Sequence, residues 1–441
     1  MQDLSALIDH EKGIIDRRVF WDDTIYQLEL ERIFARAWLF VAHESQVKDP
    51  GDFVTTYMGE DAVIVARGKD KNIHVMLNSC PHRGNRVCFA GEGKIRSFVC
   101  NYHGWAFGLD GALNGMPNNE LYDHTPGFKK EDWGLHKARV ASYRGLVFAT
   151  FAPDAPGLDD YLGDFRWYLD AILDCADGGT EFLPGTTRSA LKTNWKFPAD
   201  NFVGDIYHAL WTHLGGAEPT LGPFGGVKVD NDTSYQASVN GHGWEFSVQN
   251  NFGNAATMGD REIVRYMRSE YEAMEKRLGK VRAKMWGSVG SANIFPNFAF
   301  LPGYFTFRLF QPKGPHEIEL HAWTLVPSAV SDELKDRWRI GAMRTFSPGG
   351  ILEMDDGENW EHATTANAGA ITRQQKLCYT MAPRAQEKDS VLPGRVHHGQ
   401  LNDANQRLFY KRWLEFMMAE DWSQIPLDPI SKPLSQGAIT W

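Results

Sequence analysis

Two short segments, Cys80-Pro81-His82-Arg83-Gly84 and Cys100-Asn101-Tyr102-His103-Gly104-Trp105, decide how this chain is read; seventeen residues (83–99) separate His82 from Cys100. Each segment supplies one Cys and one His, so two thiolates and two imidazoles converge if the loops meet. That is the donor set of a Rieske 2Fe-2S cluster, in which imidazoles replace thiolates on one of the two irons and raise the potential. Structural zinc in a Cys2His2 site is the competing reading, but zinc motifs usually pair Cys with Cys and His with His along the chain. Gly84 and Gly104 allow the close backbone approach that brings N–H groups to the sulfurs. Cys88 has no His at ligand spacing and reads as a small buried thiol. His74, His124 and His136 match no ligand spacing.

Around these loops, from Gly51 to about Phe151, the sequence runs in short β-rich pieces (AVIVA, HVMLN, SFVC, GLVFATF) broken by Gly, Asn and Pro, the texture of a small all-β domain. Outside it the patterns are mixed. Residues 24–40 (TIYQLELERIFARAWLF) have helical apolar spacing, as do 159–175 up to the breaker Pro184-Gly185. Further helices are expected at 261–286, 332–345, 350–369 and 403–419, and Asn240-Gly241 marks a hairpin. The order predicts an α+β fold.

At 441 residues the chain is long enough for two unequal domains. Its charge, 46 basic against 56 acidic residues or -10, disfavours a nucleic-acid surface. Met1 to Asp16 is acidic and interrupted by charge, unlike a signal or transit peptide, and no apolar run nears the ~18 residues of a membrane helix. Five scattered cysteines do not make a disulfide framework. A cytoplasmic protein with no membrane and no nucleic-acid partner is expected.

A second constellation lies in NWKFPADNFVGDIYHALWTH (194–213), where His208 and His213 follow Asp205. Residues five apart lie about 140° apart on a regular helix, so both imidazoles reach one metal only if the helix widens or ends near Trp211. Two histidines and one carboxylate with open positions suit non-haem Fe(II). The carboxylate candidates stand in FSPGGILEMDDGENW (346–360). There Asp356 shares a helix face with Leu352 and Trp360 and points inward more than Asp355 does. The competing reading is an acidic first turn that complements the helix dipole.

These segments resemble the large subunits of naphthalene- and biphenyl-type Rieske dioxygenases, and the likeness extends from YQLELERIFARAWLF to LFYKRWLEFMM. The H-x4-H spacing is that of the naphthalene type, whereas the biphenyl type has one more residue between the histidines. The resemblance implies a Rieske domain (39–155) inserted into a catalytic domain (1–38 and 156–441) with a helix-flanked antiparallel sheet. It implies one 2Fe-2S cluster on Cys80, His82, Cys100 and His103, and one mononuclear Fe(II) on His208, His213 and Asp356. It implies a substrate pocket formed by Asn201, Phe202, Ile206, Ala209, Ile294, Phe300, Phe346 and Leu352. Asp205 would link His208 to His103 of the partner subunit, with Tyr102 nearby. The implied reaction is cis-dihydroxylation of an aromatic substrate with O2. The implied partners are further copies and a small β subunit (α3β3), and a ferredoxin, a reductase or both bringing electrons from NAD(P)H; no G-x-G-x-x-G or flavin motif is present.

The apolar pocket set suggests a bicyclic or polycyclic hydrocarbon. Arg344 near Phe346 leaves an aromatic acid of phthalate or salicylate type as the alternative, should it turn inward. A Rieske monooxygenase with the same two metals stays open, and a simple Rieske carrier does not explain 205–213 or 351–360.

Overall fold

The computed structural model describes residues 3–122, 124–216, 231–248, 258–288, 290–382 and 392–431. The chain divides into two compact units, Phe34–Leu158 and a second built from Met1–Ile33 with Asp159–Trp441.

The smaller unit is all β with short 3-10 turns. Asp52–Met58, Asp61–Arg67, Ile73–Leu77 and Glu92–Lys94 form one antiparallel sheet; Phe98–Val99, Ala106–Phe107 and Leu113–Gly115 form another. A third joins Leu39–His43 to the hairpin of Arg139–Tyr143 and Leu146–Thr150. Its turn at Arg144-Gly145 has two positive φ values (45° and 91°), as tight hairpins require. Phe53, Ile64, Met76, Phe98, Trp105 and Phe107 pack into one core that includes Cys80, Cys88 and Cys100. Buried Asn78 ties the segment behind the first loop: its Oδ1 accepts from the N–H groups of Val87 and Cys88 at 3.0 and 2.8 Å, and its Nδ2 donates to the Cys88 carbonyl.

The larger unit is built on a nine-stranded sheet. Its order is 180–182, 318–327, 306–312, 298–301, 292–294, 242–247, 234–239 and 395–398, with 187–191 also on 318–327. Asn240 and Gly241 turn the 234–247 hairpin with φ of 52° and 82°. Cross-strand partners Gly243, Asn293, Ala299 and Arg308 share one face. On that face the helix Lys196–Gly204 approaches so closely that a Cβ on Gly243 would lie 2.5 Å from Val203. The helices Glu353–Asn367 and Ala404–Met418 lie on the same side: Trp360 packs on Phe202 and Phe310, and Asn405 Nδ2 donates to the Val203 carbonyl.

The helices at 332–345, 353–367 and 404–418 match the periodicity closely. Two expectations are corrected. The pattern at 261–286 breaks at Gly279 (φ 86°) into Arg261–Leu278 and Lys280–Met285. The one at 24–40 gives only Asp23–Glu29 and a wide turn at Leu30–Phe34, because Leu39–His43 is buried throughout and pairs as a strand. Among the described residues no helix is long and apolar enough to cross a membrane.

Glu29, from the first of these helices, is fully buried with Lys196. Its Oε1 accepts from Lys196 Nζ at 2.6 Å and Trp413 Nε1 at 2.8 Å, and its Oε2 accepts from Trp195 Nε1 at 2.8 Å. Breaking a buried pair strands the remaining charge. Glu29→Gln should therefore cost ~3–5 kcal/mol, read as a lower urea midpoint; a wild-type midpoint would show that the pair contributes nothing net.

Candidate functional site

The two loops of the smaller unit fold to one template. In each, the Gly N–H donates to the Cys carbonyl four residues back, Gly84 to Cys80 at 2.8 Å and Gly104 to Cys100 at 2.9 Å. In each, the Cys N–H donates to the carbonyl five residues on, in Asn85 and Trp105 respectively. The glycines have φ of 74° and 76°, a left-handed conformation that other residues adopt at a cost. The template turns both cysteines into the core and both histidines outward. The rings of His82 and His103 meet with centroids 4.5 Å apart, and His82 stacks on Trp105 at 4.9 Å. Burial pushes the Cys80 thiol up, opposed by N–H groups of His82 and Arg83. Burial also raises Cys100, but N–H groups of Tyr102 and His103 and the Asn85 amide, 3.7 Å from its sulfur, outweigh it and leave that thiol below its usual value. His82 Nδ1 is buried with no hydrogen-bond partner.

In the larger unit a helix stops at Gly204 and another, Ile206–Thr212, starts two residues on. The Gly204 carbonyl is answered by Gln236 and Gln406 amides, each at 2.9 Å. Asp205 caps the second helix, accepting from the His208 N–H at 3.1 Å, while His208 Nδ1 faces the Asp205 carbonyl, with the Asp205 carboxylate at 3.4 Å and the Asn201 amide at 3.1 Å. The helix ends at Thr212, and His213 leaves it with φ -96° and ψ 13°. This ending brings two imidazoles five residues apart to one point.

There His208 Nε2, His213 Nε2 and Asp356 Oδ1 are mutually 3.3 Å apart. The centre of such a triangle lies about 1.9 Å from each corner, close to the ~2.0–2.2 Å of metal–ligand bonds, so these three side chains could together hold one metal ion. Asp356 Oδ1 is buried and accepts no hydrogen bond. Burial is the largest influence on both Asp356 and His208, yet is outweighed in each. The facing imidazoles bring Asp356 down to about 2, and Asp205 and Asp356 raise His208 well above the usual imidazole value.

Residues 158–418 match the ring hydroxylating alpha subunit (catalytic domain) family, and residues 37–129 match the Rieske [2Fe-2S] domain. The chain belongs to the ring-hydroxylating alpha subunits. The benzene 1,2-dioxygenase subunit alpha of Pseudomonas putida is 39% identical over 96% of this chain and 95% of its own. The biphenyl 2,3-dioxygenase subunit alpha of Rhodococcus jostii is 39% identical over 96% and 93%. A solved naphthalene 1,2-dioxygenase with indole in its active site superimposes with a TM-score of 0.89 at 31% identity, covering 95% of each chain.

This alpha subunit is thus a Rieske-type aromatic dioxygenase, an oxidoreductase whose cofactors are one 2Fe-2S cluster and one mononuclear iron. Its relatives are named as alpha subunits or as the large oxygenase component of a larger system. Its residues fit both groups: a buried thiol pair with an unpartnered imidazole nitrogen for the cluster, and the converging His208, His213, Asp356 triangle for the iron. Of the expected pocket residues, Phe202, Phe346 and Leu352 are buried and Ile206 and Ala209 half-buried on the helix of His208. Asn201 lies nearer the ligands than a pocket wall, against His208 Nδ1. Ile294 and Phe300 are corrected: strand alternation turns them, with Trp244, Phe298 and Phe307, to the face away from Arg308 and the helix 196–204.

Sequence reasoning missed three side chains here. Asp355 faces His213 Nδ1 at 3.5 Å, so the acid next to Asp356 orients the other histidine. Buried Glu245 accepts from the Ile206 N–H at 3.0 Å and from Ser291 Oγ at 3.0 Å; burial first, then the Asp205 charge, pushes it up to about 8. Arg308 lies buried against Phe346. No local pattern marks any of them.

Metal binding must displace the proton that the raised pKa keeps on His208. The sign follows: the metal-free site holds the proton and the loaded site does not, so affinity falls as pH falls. Titrating Co(II) into metal-free protein near pH 7 in buffers of different ionisation enthalpy should report about one proton released per metal; zero release would contradict the assignment. His208→Ala should lose the chelatable iron and keep the two cluster irons.

Proposed function

We propose that this alpha subunit inserts both atoms of O2 into one double bond of a neutral bicyclic or larger arene to give a cis-dihydrodiol. On this reading residues 39–155 house the cluster, on Cys80, His82, Cys100 and His103, and 1–38 with 156–441 house the iron, on His208, His213 and Asp356. The iron supplies oxygen activation when bound. The chain's own residues orient the arene, exclude water and carry electrons and protons to it.

The observation that carries the substrate reading is the charge state of the pocket wall. Phe346, whose ring stands 6.5 Å from that of His213, is apolar and buried, as are Phe202 and Leu352. The cation against these rings, Arg308, is already paired with Glu353, and Arg344, which would have recognised a carboxylate, is exposed. Among the described residues a substrate carboxylate would meet no free partner there. Identity is higher to the benzene and biphenyl enzymes, whereas the histidine spacing is of the naphthalene type, so size preference is set by this pocket's own residues.

Asp205 is read as the electron link. It touches His208 Nδ1 on one side and is only half-buried, while His103 and Tyr102 are exposed beside the cluster loops. In an α3β3 ring His103 of the partner subunit would complete the bridge, with electrons arriving from NAD(P)H through a reductase and a ferredoxin.

Oxygen uptake with naphthalene, phenanthrene, biphenyl and phthalate, with product analysis, tests the substrate. Coupled dihydrodiol formation from the hydrocarbons is expected, and preference for phthalate would overturn the reading. Asp205→Ala should keep all metals yet slow oxidation of the reduced cluster by ~10-fold or more in stopped flow with substrate and O2. Wild-type rates in the fully metallated variant would remove Asp205 from the path.

A further inference from the structure

Arg308 is fully buried in the strand Thr306–Pro312, on the face that meets the helix 196–204. A cation in that position must have its charge and its fork of donors answered. Nε donates to Glu353 Oε2 at 2.9 Å, Nη2 donates to the Phe346 carbonyl at 2.8 Å and to Glu353, and Nη1 donates to Thr306 Oγ1. The guanidinium also stands 4.9 Å from the ring centroid of Phe346 and 5.9 Å from that of Phe202, within cation–π range.

These partners add a side-chain tie to a connection whose backbone is already closed by the Ile351 N–H on the Arg344 carbonyl (2.9 Å) and the Leu352 N–H on the Thr345 carbonyl (3.1 Å). Phe346 ends the helix Asp332–Thr345 and opens the Ser347-Pro348-Gly349-Gly350 connection. The Phe346 N–H is held by the Ala342 carbonyl at 2.8 Å, which leaves its own carbonyl and its ring to be held by side chains. Arg308 holds its carbonyl and one face, while Tyr304 lies against it at 4.7 Å. Glu353 is the first residue of the helix that brings Asp356 to the metal one turn later. One planar fork on a rigid strand thus ties the pocket ring to the start of the ligand helix.

We propose that Arg308 is a positioning residue that determines specificity: it fixes the Phe346 ring relative to Asp356 and so selects which bond of the arene lies nearest the metal. This rests on the pocket reading above. The reason for Arg is geometric. A lysine would supply a point charge but not a fork that meets Glu353, Thr306 and the Phe346 carbonyl while stacking on a ring. The competing account is a buried ion pair that only stabilises the fold. The two differ in their response to removing both charges, because replacing a buried pair by apolar groups of similar size is often neutral for stability.

The test uses Arg308→Lys and the double variant Arg308→Met/Glu353→Met in the complete oxygenase. Two readouts are taken: the fluorine NMR line of 4-fluorophenylalanine placed at position 346, with and without metal, and the ratio of dihydrodiol isomers formed from biphenyl. Both variants should fold and load iron, yet shift or split the fluorine line and change the isomer ratio by about threefold or more. Phe346→Val alone and Phe346→Val with Arg308→Lys should give the same ratio, since the cation acts through that ring. An unmoved line, an unchanged ratio in an iron-loaded variant, or fully additive effects would overturn the proposal. An enzyme that oxidises no arene would sink the substrate reading instead, and the fluorine line would still decide whether Arg308 orders the ring.

Discussion

The catalytic unit depends on a break in one segment of chain, between Gly204 and Asp205. A helix end buried against a sheet leaves carbonyls that water cannot reach, and these must be answered by side chains. Here Gln236 and Gln406 meet the Gly204 carbonyl and Asn405 meets that of Val203. On the other side of the break Asp205 and Glu245 accept the His208 and Ile206 N–H groups that open the next helix. The break sets the axis of the second helix and hence the direction of His208. Because that helix is only seven residues long, it ends in time for His213 to swing to the same point. Without it the spacing of the two histidines would send them to different sides.

Around that break the unit buries more acid than an apolar core tolerates without a reason. Asp200, held by the Tyr379 and Tyr410 hydroxyls at 2.5 and 3.0 Å, is pushed up to about 8, by burial first and Asp205 among the rest, as Glu245 is. In both, burial opposes the charged form beside the Asp205 carboxylate. Where the unit buries acid–base pairs, as in Glu29 with Lys196 and Glu353 with Arg308, each pair is tied in by several hydrogen bonds. The contrast separates pairs that tie elements together from acids that shape the field around the metal ligands.

Much of this was legible in the sequence. Helices at 332–345, 353–367 and 404–418 announced themselves by period, and Asn240-Gly241 announced a hairpin, since both signals are local. The segment at 24–40 misled because its apolar spacing suits a helix, while Leu39–His43 is claimed by pairing with Leu146–Thr150, more than a hundred residues away. Tertiary pairing overrides local preference wherever a strand is buried on both faces.

The candidate donors were legible in the sequence. Residue type and spacing pointed to a cluster in the two mixed Cys and His loops, whereas the His pair and the acidic pair became an iron site through the family resemblance. Only the tertiary structure decided how they are used. It showed Asp355 facing His213, sent Ile294 and Phe300 to the far face of the sheet, and set Arg308 against Phe346. The reason is common to all three. Alternation along a strand says that neighbours point to opposite faces, but not which face meets the metal; that phase, and every distance between segments remote in the chain, is fixed by long-range packing.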